Sequence, residues 1–210
     1  MRIFKKIEDF LSALDTAEIT PERQEILQVF IEHIVFQIAS EEAVRLNFIC
    51  THNSRRSHFA QIWAQTIAAW LELPKIECYS GGTEATAVYQ SVISSLQHSG
   101  FEIAELGNDG ENPIFSIRYG ENQLPIIAFS KEFDHPFNPK NFAAIMTCAD
   151  ADENCPFIPS ASIRLKMTFE DPKISDGSSE EARHYQERSN QIATEMLYVF
   201  QQVKAGLYEN

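Results

Sequence analysis

The spacing of apolar residues predicts that the chain begins with helices. In residues 21–39, apolar side chains recur every three or four positions, as they do on one face of a helix. Thr20 followed by Pro21 is a typical helix start, because threonine caps the first N–H groups and proline fits the first helical position. Residues 3–14 have a similar helical spacing. We therefore expect residues 1–43 to form a helical N-terminal extension.

The pattern then changes to strands that are each followed by a helix. Residues 44–50, VRLNFIC, alternate between apolar and polar positions as a strand does, and residues 56–72 form an Ala-rich amphipathic segment. A second strand is predicted at residues 76–80, and the helix after it ends at Gly100, a residue suited to a helix C-cap. Two successive strand–helix units favour a parallel sheet with right-handed crossovers, and hence an α/β fold.

The second half of the chain is predicted to add a hairpin, a buried strand and a long helix. Residues 113–130 look like two strands joined by a turn, and we place this hairpin at the sheet edge, inside an insertion at about residues 108–140. Residues 141–148 form an apolar strand that ends on a cysteine, and residues 149–163 are expected to be a loop or short helix. The chain closes with an amphipathic helix. We expect residues 44–210 to form one domain.

The overall charge restricts the partners of the protein. With 30 Asp and Glu residues against 17 Lys and Arg residues, the chain of 210 residues has a formal net charge of −13. Such a surface repels polyanions, which argues against nucleic acid and membranes as partners. No apolar run resembles a signal peptide or a membrane span, and the four cysteines suit a reducing compartment, so a cytoplasmic protein is expected. The hairpin has an edge strand that can pair with another chain, so a homodimer is one option for this protein.

Basic residues and a thiol are concentrated in one short segment, NFICTHNSRRS, at residues 47–57. This segment lies within residues 43–71, which contain no Asp or Glu, and the gap suggests that an anion binds there. Cys50 ends the first strand and Arg56 starts the next helix, so the loop between them can curl with its N–H groups pointing at one spot. Such a cradle suits a tetrahedral oxyanion.

The predicted anion-binding residues are Thr51, His52, Asn53, Ser54, Arg55 and Arg56. Arg56 can grip two oxygens with its guanidinium, and the helix N-terminus adds partial positive charge that also favours the thiolate form of Cys50. Ser57 is placed to donate a hydrogen bond to that sulfur, and Asn53 tolerates the positive φ that such a loop needs. The side chains expected at the rim or in solvent are His52, Arg55 and His58. The alternative is a buried, inert cysteine at a strand end.

Residues 47–57 resemble the phosphate-binding loop of the low-molecular-weight protein tyrosine phosphatase superfamily, which includes the thioredoxin-coupled arsenate reductases. SGGTEATA, residues 80–87, resembles the segment after the second strand in those reductases, and FEDPK, residues 169–173, resembles their acid-bearing Asp-Pro loop. The resemblance extends over about residues 44–203. It implies a four-stranded parallel sheet flanked by helices.

The resemblance also implies roles for individual residues. Cys50 is then the nucleophile and Asp171 protonates the leaving oxygen, although an Asp before a proline is by itself an ordinary turn residue. CADADENCP carries Cys148 and Cys155 in the C-x6-C-P spacing of the arsenate reductases. By resemblance, Cys148 attacks the arsenylated Cys50, and Cys155 attacks the disulfide so formed. A thioredoxin-like protein supplies the electrons, and no cofactor is bound.

Three functions stay open at this point. The main prediction is the reduction of arsenate to arsenite through a cysteine relay. The alternative is a low-molecular-weight protein tyrosine phosphatase that hydrolyses phosphomonoesters through a cysteinyl-phosphate intermediate, with Cys148 and Cys155 as packing or protective residues. A non-enzymatic phosphate-binding module is the third, which the presence of Ser57 and Asp171 disfavours. We expect no metal site, since zinc knuckles and a second ligand pair are lacking, and we interpret Cys78 as structural.

Overall fold

The computed structural model describes residues 2–107, 110–154 and 157–208. In chain order the α-helices are α1 (Lys5–Ser12), α2 (Pro21–Ala39), α3 (Arg56–Trp70), α4 (Gln90–Ser99), α5 (Ala149–Asn154) and α6 (Glu181–Tyr208). The strands are β1 (Val44–Cys50), β2 (Ile76–Gly82), β3 (Glu102–Gly107), β4 (Ile114–Arg118), β5 (Ile126–Ala128), β6 (Phe142–Met146) and β7 (Ala161–Lys166). None of the helices in these ranges is both long and apolar enough to span a bilayer.

Four strands form a parallel sheet in the order β2-β1-β6-β7, which confirms the predicted α/β fold. Strand β1 lies between β2 and β6 and is buried along nearly its whole length, which explains why its sequence is mostly apolar. Since all four strands run in the same direction, their carboxyl ends share one edge of the sheet. Cys50 ends β1 at this edge, and Cys148 follows β6 there.

The sequence pattern fails to predict the fourth strand, β7. We expected residues 149–163 to be a loop or short helix, and the first part of this range does form α5. The rest leads into β7, which pairs with β6. Only one of the six side chains in β7 is fully buried, because the strand lies at the sheet edge. It therefore lacks the apolar alternation by which a strand is recognised.

The hairpin expected in residues 113–130 is present, because β4 and β5 pair antiparallel. Its expected place at the edge of the parallel sheet is wrong. Strand β4 pairs on its other side with β3, and the three strands form a separate sheet in the order β3-β4-β5. Strand β3 was not predicted, since its side chains are almost all exposed. An isolated bridge between Gly82 and Glu132 connects the segment after β5 to the end of β2.

The two N-terminal helices share the core of the parallel domain. Trp63 of α3 is fully buried, and its ring stacks on Phe10 at a centroid distance of 5.0 Å. Phe101 meets the same indole edge-on at 4.9 Å. Helix α2 begins as the sequence predicts, because the Thr20 hydroxyl accepts a hydrogen bond of 3.3 Å from the Arg23 N–H. The aromatic contacts fix α1 against the helices that carry the site.

Candidate active site

The turn from β1 into α3 forms the loop that the sequence predicts. Cys50 ends the strand, and residues 51–55 lead directly into the helix. Gly82, the last residue of β2, packs closely against this loop. A Cβ on Gly82 would lie 2.6 Å from the Thr51 carbonyl oxygen and 2.7 Å from the Asn53 nitrogen. No side chain fits in that space, so the path of the loop depends on glycine at this position.

The sulfur of Cys50 has a hydrogen-bond partner in Ser57. The two side-chain atoms, Sγ and Oγ, are 3.1 Å apart, and Oγ also accepts a bond of 2.9 Å from Asn53 Nδ2. Because Ser57 accepts that bond, its own hydroxyl hydrogen is available to the sulfur. A hydroxyl donor favours the thiolate form of a cysteine. Asn53 has a φ of 43°, the left-handed conformation that the sequence predicts.

The backbone N–H groups of the loop are available to a ligand. Within the part of the chain that the structure describes, the N–H groups of residues 51–57 donate no hydrogen bond. Asn53 and Ser54 are nevertheless buried. Buried N–H groups are normally paired, so an array of unpaired donors at the start of a helix suits an anion with several oxygens.

Arg56 and Asp171, both predicted site residues, are in contact. Arg56 Nη2 lies 2.5 Å from Asp171 Oδ2, and Nη1 donates a hydrogen bond of 2.9 Å to the Phe169 carbonyl. Arg56 Nε is buried and has no partner among the described residues. The guanidinium therefore holds the acid-bearing segment against the Cys50 loop and keeps one buried donor available.

The side chain of Arg55 is not at the rim or in solvent, as the sequence led us to expect. It is only 12% exposed, and Nη2 lies 2.6 Å from Asp176 Oδ2. Its Nε donates to the Tyr185 hydroxyl at 2.5 Å, and the guanidinium lies over the Tyr89 ring at 4.3 Å from the centroid. With the side chain engaged in this way, the part of Arg55 in anion binding rests on its backbone N–H.

The structure brings Cys148 to the Cys50 loop. Both cysteines belong to one apolar cluster of buried residues. Cys148 Sγ lies 3.5 Å from the hydroxyl of Thr51, the residue that follows the nucleophile. It also accepts a hydrogen bond of 3.3 Å from the Ala151 N–H. The second thiol thus lies beside the loop, as the shared sheet edge predicts.

The prediction for Cys155 concerns a residue outside the described ranges, so it stays a prediction. Helix α5 occupies the six residues after Cys148. At its start, Asp150 accepts a hydrogen bond of 2.6 Å from the Thr51 hydroxyl. Further along, Asp152 forms an ion pair with Lys166 of β7 at 3.1 Å. These contacts hold α5 to the Cys50 loop on one side and to the sheet edge on the other.

The histidines near the loop differ from one another in burial. The His52 side chain is 45% exposed at the rim, as expected, and its Nε2 lies 3.7 Å from Glu84. His58, which we also expected at the rim, is completely buried under the loop. Burial and the nearby Lys131 lower the pKa of His58 to about 3, so its ring is neutral. Cys78 is buried in β2, where burial raises the pKa of its thiol.

Four residues at the site were missed by reasoning from the sequence, namely Asp150, Asp176, Tyr185 and Lys131. Tyr185 contacts Arg55 from 130 positions away in the sequence. The backbone N–H of Lys131 donates to Asn53 Oδ1 at 2.9 Å, although the two residues are 78 positions apart. No local motif surrounds Tyr185 or Lys131. The one available signal was the position of Asp150 inside the C-x6-C spacing.

Comparisons with known proteins place arsenate reductases among the relatives of this chain. No protein-family model matches the sequence. Arsenate reductase 2 of Staphylococcus epidermidis is 29% identical over 125 residues, which cover 60% of this chain and 76% of that protein. The arsenate reductase of Halalkalibacterium halodurans is 25% identical over 134 residues, or 64% of this chain and 78% of that protein. The low-molecular-weight protein tyrosine phosphatase of T. tengcongensis shares the fold with a TM-score of 0.51 at 14% identity, over 76% of this chain and 99% of that one.

Proposed function

This chain belongs to the low-molecular-weight protein tyrosine phosphatase superfamily, and from that membership we propose that it is an arsenate reductase. The observation that supports this function best is the contact between Cys148 and the Cys50 loop. Cys148 Sγ lies 3.5 Å from the Thr51 hydroxyl, and both thiols share one apolar cluster. Hydrolysis of a phosphate ester needs one thiol, whereas reduction needs a second thiol within reach of the first.

Arsenate binding is assigned to the loop that follows Cys50. The unpaired N–H groups of residues 51–57 and the unpartnered Nε of Arg56 supply donors for the oxyanion. These donors are fixed before the substrate arrives, so they need no reorganisation when charge builds up on its oxygens. Ser57 lies 3.1 Å from the Cys50 sulfur and is placed to donate a hydrogen bond to it.

The first chemical step joins sulfur to arsenic. The Cys50 thiolate attacks arsenic, a sulfur–arsenic bond forms, and one oxygen leaves as water after Asp171 protonates it. The contact with Arg56, at 2.5 Å, holds Asp171 beside the loop as a carboxylate. To act as the acid it has to leave this contact and take a proton from solvent, which its side-chain exposure of 37% allows.

The second chemical step transfers electrons from sulfur to arsenic. The thiolate of Cys148 attacks the Cys50 sulfur, the two sulfurs form a disulfide, and the electron pair of the broken sulfur–arsenic bond stays on arsenic. Arsenate is thereby reduced to arsenite, which leaves the loop. Cys155 then attacks Cys148, which restores the Cys50 thiolate and leaves a disulfide between Cys148 and Cys155.

The relay requires α5 to unwind. Seven residues on a continuous helix span about 10.5 Å, whereas a disulfide needs Cα atoms roughly 4.4–6.8 Å apart. Helix α5 occupies the interval after Cys148, so oxidation has to break it. An unwound segment exposes the disulfide to a thioredoxin-like protein, which we propose as the electron donor. Because the relay needs reduced thiols, we also propose a reducing compartment, the cytoplasm.

A second candidate function is the hydrolysis of phosphomonoesters. The contact between Arg56 and Asp171 favours it, because a cysteine, an arginine and an acid suffice for a cysteinyl-phosphate mechanism. In that case Cys148 packs beside the loop without taking part. Both functions use the same oxyanion loop.

The variant Cys148→Ser separates the two functions. For a reductase, arsenate turnover coupled to a thioredoxin-like reductant disappears, while hydrolysis of an aryl phosphate continues, since that reaction needs only Cys50, Arg56 and Asp171. For a phosphatase, the parent protein already shows no coupled arsenate turnover. Arsenate turnover that persists in Cys148→Ser contradicts the relay. Cys78→Ala is the matched control, because this buried thiol lies within β2, outside the loop, and both activities should survive.

A further inference from the structure

Lys131 is a buried lysine in the segment after β5, close to the Cys50 loop. Its side chain is 1% exposed, and Nζ lies 3.3 Å from the Phe129 carbonyl and 3.5 Å from the Ser80 hydroxyl. The rings of Phe129 and Phe137 face the same amine at 4.6 and 5.5 Å. Burial alone lowers the pKa of Lys131, to about 7, and no carboxylate of the described residues offsets it. A buried amine without an acidic partner reduces the stability of a fold, so its presence calls for another explanation.

The Lys131 amine reaches the loop through two side chains. His58 Nε2 lies 2.9 Å from the Asn53 carbonyl, which can only accept, so we assign the ring proton to Nε2. His58 Nδ1 is then an acceptor, and its neighbour at 3.4 Å is the Ser80 hydroxyl. Because the Ser80 hydroxyl donates its hydrogen to His58, its oxygen accepts the hydrogen bond from the Lys131 amine. Every bond in this series therefore donates in the same direction, from the lysine toward the loop.

The backbone of Lys131 makes a second connection to the same asparagine. Its N–H donates to Asn53 Oδ1 at 2.9 Å. Asn53 Nδ2 donates in turn to Ser57, the partner of the Cys50 sulfur. Asn53 is thus held through its carbonyl and both side-chain polar atoms, and it has the unfavourable φ of 43°.

We propose that Lys131 is a positioning residue for the oxyanion loop. Acting through Ser80 and His58, its amine holds Asn53 in the left-handed conformation that presents Ser57 to the Cys50 sulfur and leaves the loop N–H groups free for oxygen ligands. This role rests on the proposed function in so far as the loop binds an oxyanion. Lys131 itself touches neither the substrate nor the reacting sulfur.

The variant Lys131→Met tests the role, because methionine has a similar length but no charge and no N–H donor. We expect its Tm to rise by about 2 °C or more, since the variant no longer buries an amine that has no acidic partner. We expect the Kd for inorganic phosphate to increase about tenfold, the effect of losing one well-placed buried hydrogen bond. Lys140→Met is the matched control, because Lys140 is an exposed lysine in the same segment between β5 and β6, and neither quantity should change.

A spectroscopic measurement distinguishes positioning from simple packing. In the parent protein, the Nε2-bound proton of His58 should give a slowly exchanging imidazole signal, and in Lys131→Met this signal should shift and exchange faster. If Lys131→Met does not fold, Ser80→Ala supplies the same readout, because it interrupts the series and leaves the charge in place.

Either of two results overturns the proposal. The first is a lower Tm for Lys131→Met, which would make the amine a structural stabiliser. The second is that both the His58 signal and the phosphate affinity of this variant are unchanged. If the parent protein binds neither phosphate nor arsenate, the proposed function fails. The His58 signal then decides the positioning role by itself, because it requires no ligand.

Discussion

The Cys50 loop is held on two flanks that differ in their chemistry. On one flank, which we call the charged flank, Arg55 pairs with Asp176 and Arg56 pairs with Asp171. These carboxylates have side-chain exposures of 22% and 37%, so water reaches them. The arginines themselves are only 12% exposed, so these are partly buried ion pairs with one side open to water.

The other flank, which we call the buried flank, consists of Asn53, His58, Ser80 and Lys131. Its side chains are sealed from water, and its histidine ring is neutral. Buried polar networks stabilise a structure only when every member is satisfied, so such a network tolerates few alternatives. The two flanks therefore have different roles at the loop. The charged flank can exchange protons and ligands, whereas the buried flank keeps the loop in one shape.

The largest effect should come from removing the acid of the charged flank. Asp171→Asn keeps the size of the side chain but cannot donate the proton, so hydrolysis of aryl phosphates with poor leaving groups should fall about 10²–10⁴-fold. Esters with good leaving groups should be affected much less, because they need no protonation. The measurement is kcat of the parent and of the variant for a series of aryl phosphates, plotted against the pKa of the leaving group. Equal activity of variant and parent on all esters would mean that Asp171 is not the acid.

A smaller but still large effect should follow from disturbing the loop where it packs on β2. In Gly82→Ala the new Cβ would overlap the backbone of the loop, so the free energy of unfolding should fall by roughly 1–3 kcal/mol and kcat/KM by about tenfold or more. Gly107→Ala is the matched control, because a Cβ there meets no atom of the described residues within 4 Å. Urea unfolding and steady-state kinetics measure both quantities. Similar behaviour of the two variants would refute the tight packing at Gly82.

A moderate effect is expected at the second ion pair of the charged flank. Arg55→Met removes the guanidinium and with it the contact over the Tyr89 ring and the bonds to Asp176 and Tyr185, so the acid segment should become less well placed. We expect kcat for esters with poor leaving groups to fall by about tenfold, and phosphate affinity to stay near that of the parent. Tyr185→Phe, which removes one hydroxyl, should show a weaker form of the same change. A loss of affinity with kcat unchanged would instead place Arg55 in anion binding.

The smallest effect concerns the response of the buried flank to pH. The pKa of Lys131 is lowered from 10.5 to about 7 in the folded protein, so between these pH values the unfolded chain holds a proton there that the folded chain lacks. Stability from this source therefore rises with pH through that window. Urea unfolding should show that the free energy of unfolding of the parent, relative to that of Lys131→Met, is higher at pH 9 than at pH 7. Parallel profiles for the two proteins would mean that burial does not perturb this amine.

The Cys50 loop and three strands of the parallel sheet, β1, β2 and β6, could be predicted because local sequence determines them. The strand-to-helix turn follows from a change of apolar period, and Asn53 is a residue type that tolerates positive φ. Strands β3 and β7 escaped prediction for the opposite reason. Their side chains are mostly exposed, so it is pairing with a neighbouring strand, rather than an apolar pattern, that makes them strands.

The surroundings of the loop depend on segments far away in the chain, and these could not be predicted. Arg55 and His58 were expected at the rim because their residue types usually contact solvent. Tyr185 of α6 and Lys131 cover them in the folded protein, and nothing near either residue in the sequence indicates this. The burial of a charged residue is decided by the distant elements that pack on it.

The aromatic contacts of Trp63 give the protein an optical property of its own. An indole enclosed between Phe10 and Phe101 is shielded from water, and its fluorescence is sensitive to the loss of that shielding. Because Phe10 belongs to α1, undocking of this helix should expose Trp63 and shift its emission to longer wavelength, on top of the signal of Trp70, the second tryptophan of the chain. The chain thus carries a built-in reporter for the attachment of its N-terminal helix, and this reporter works without substrate, label or partner.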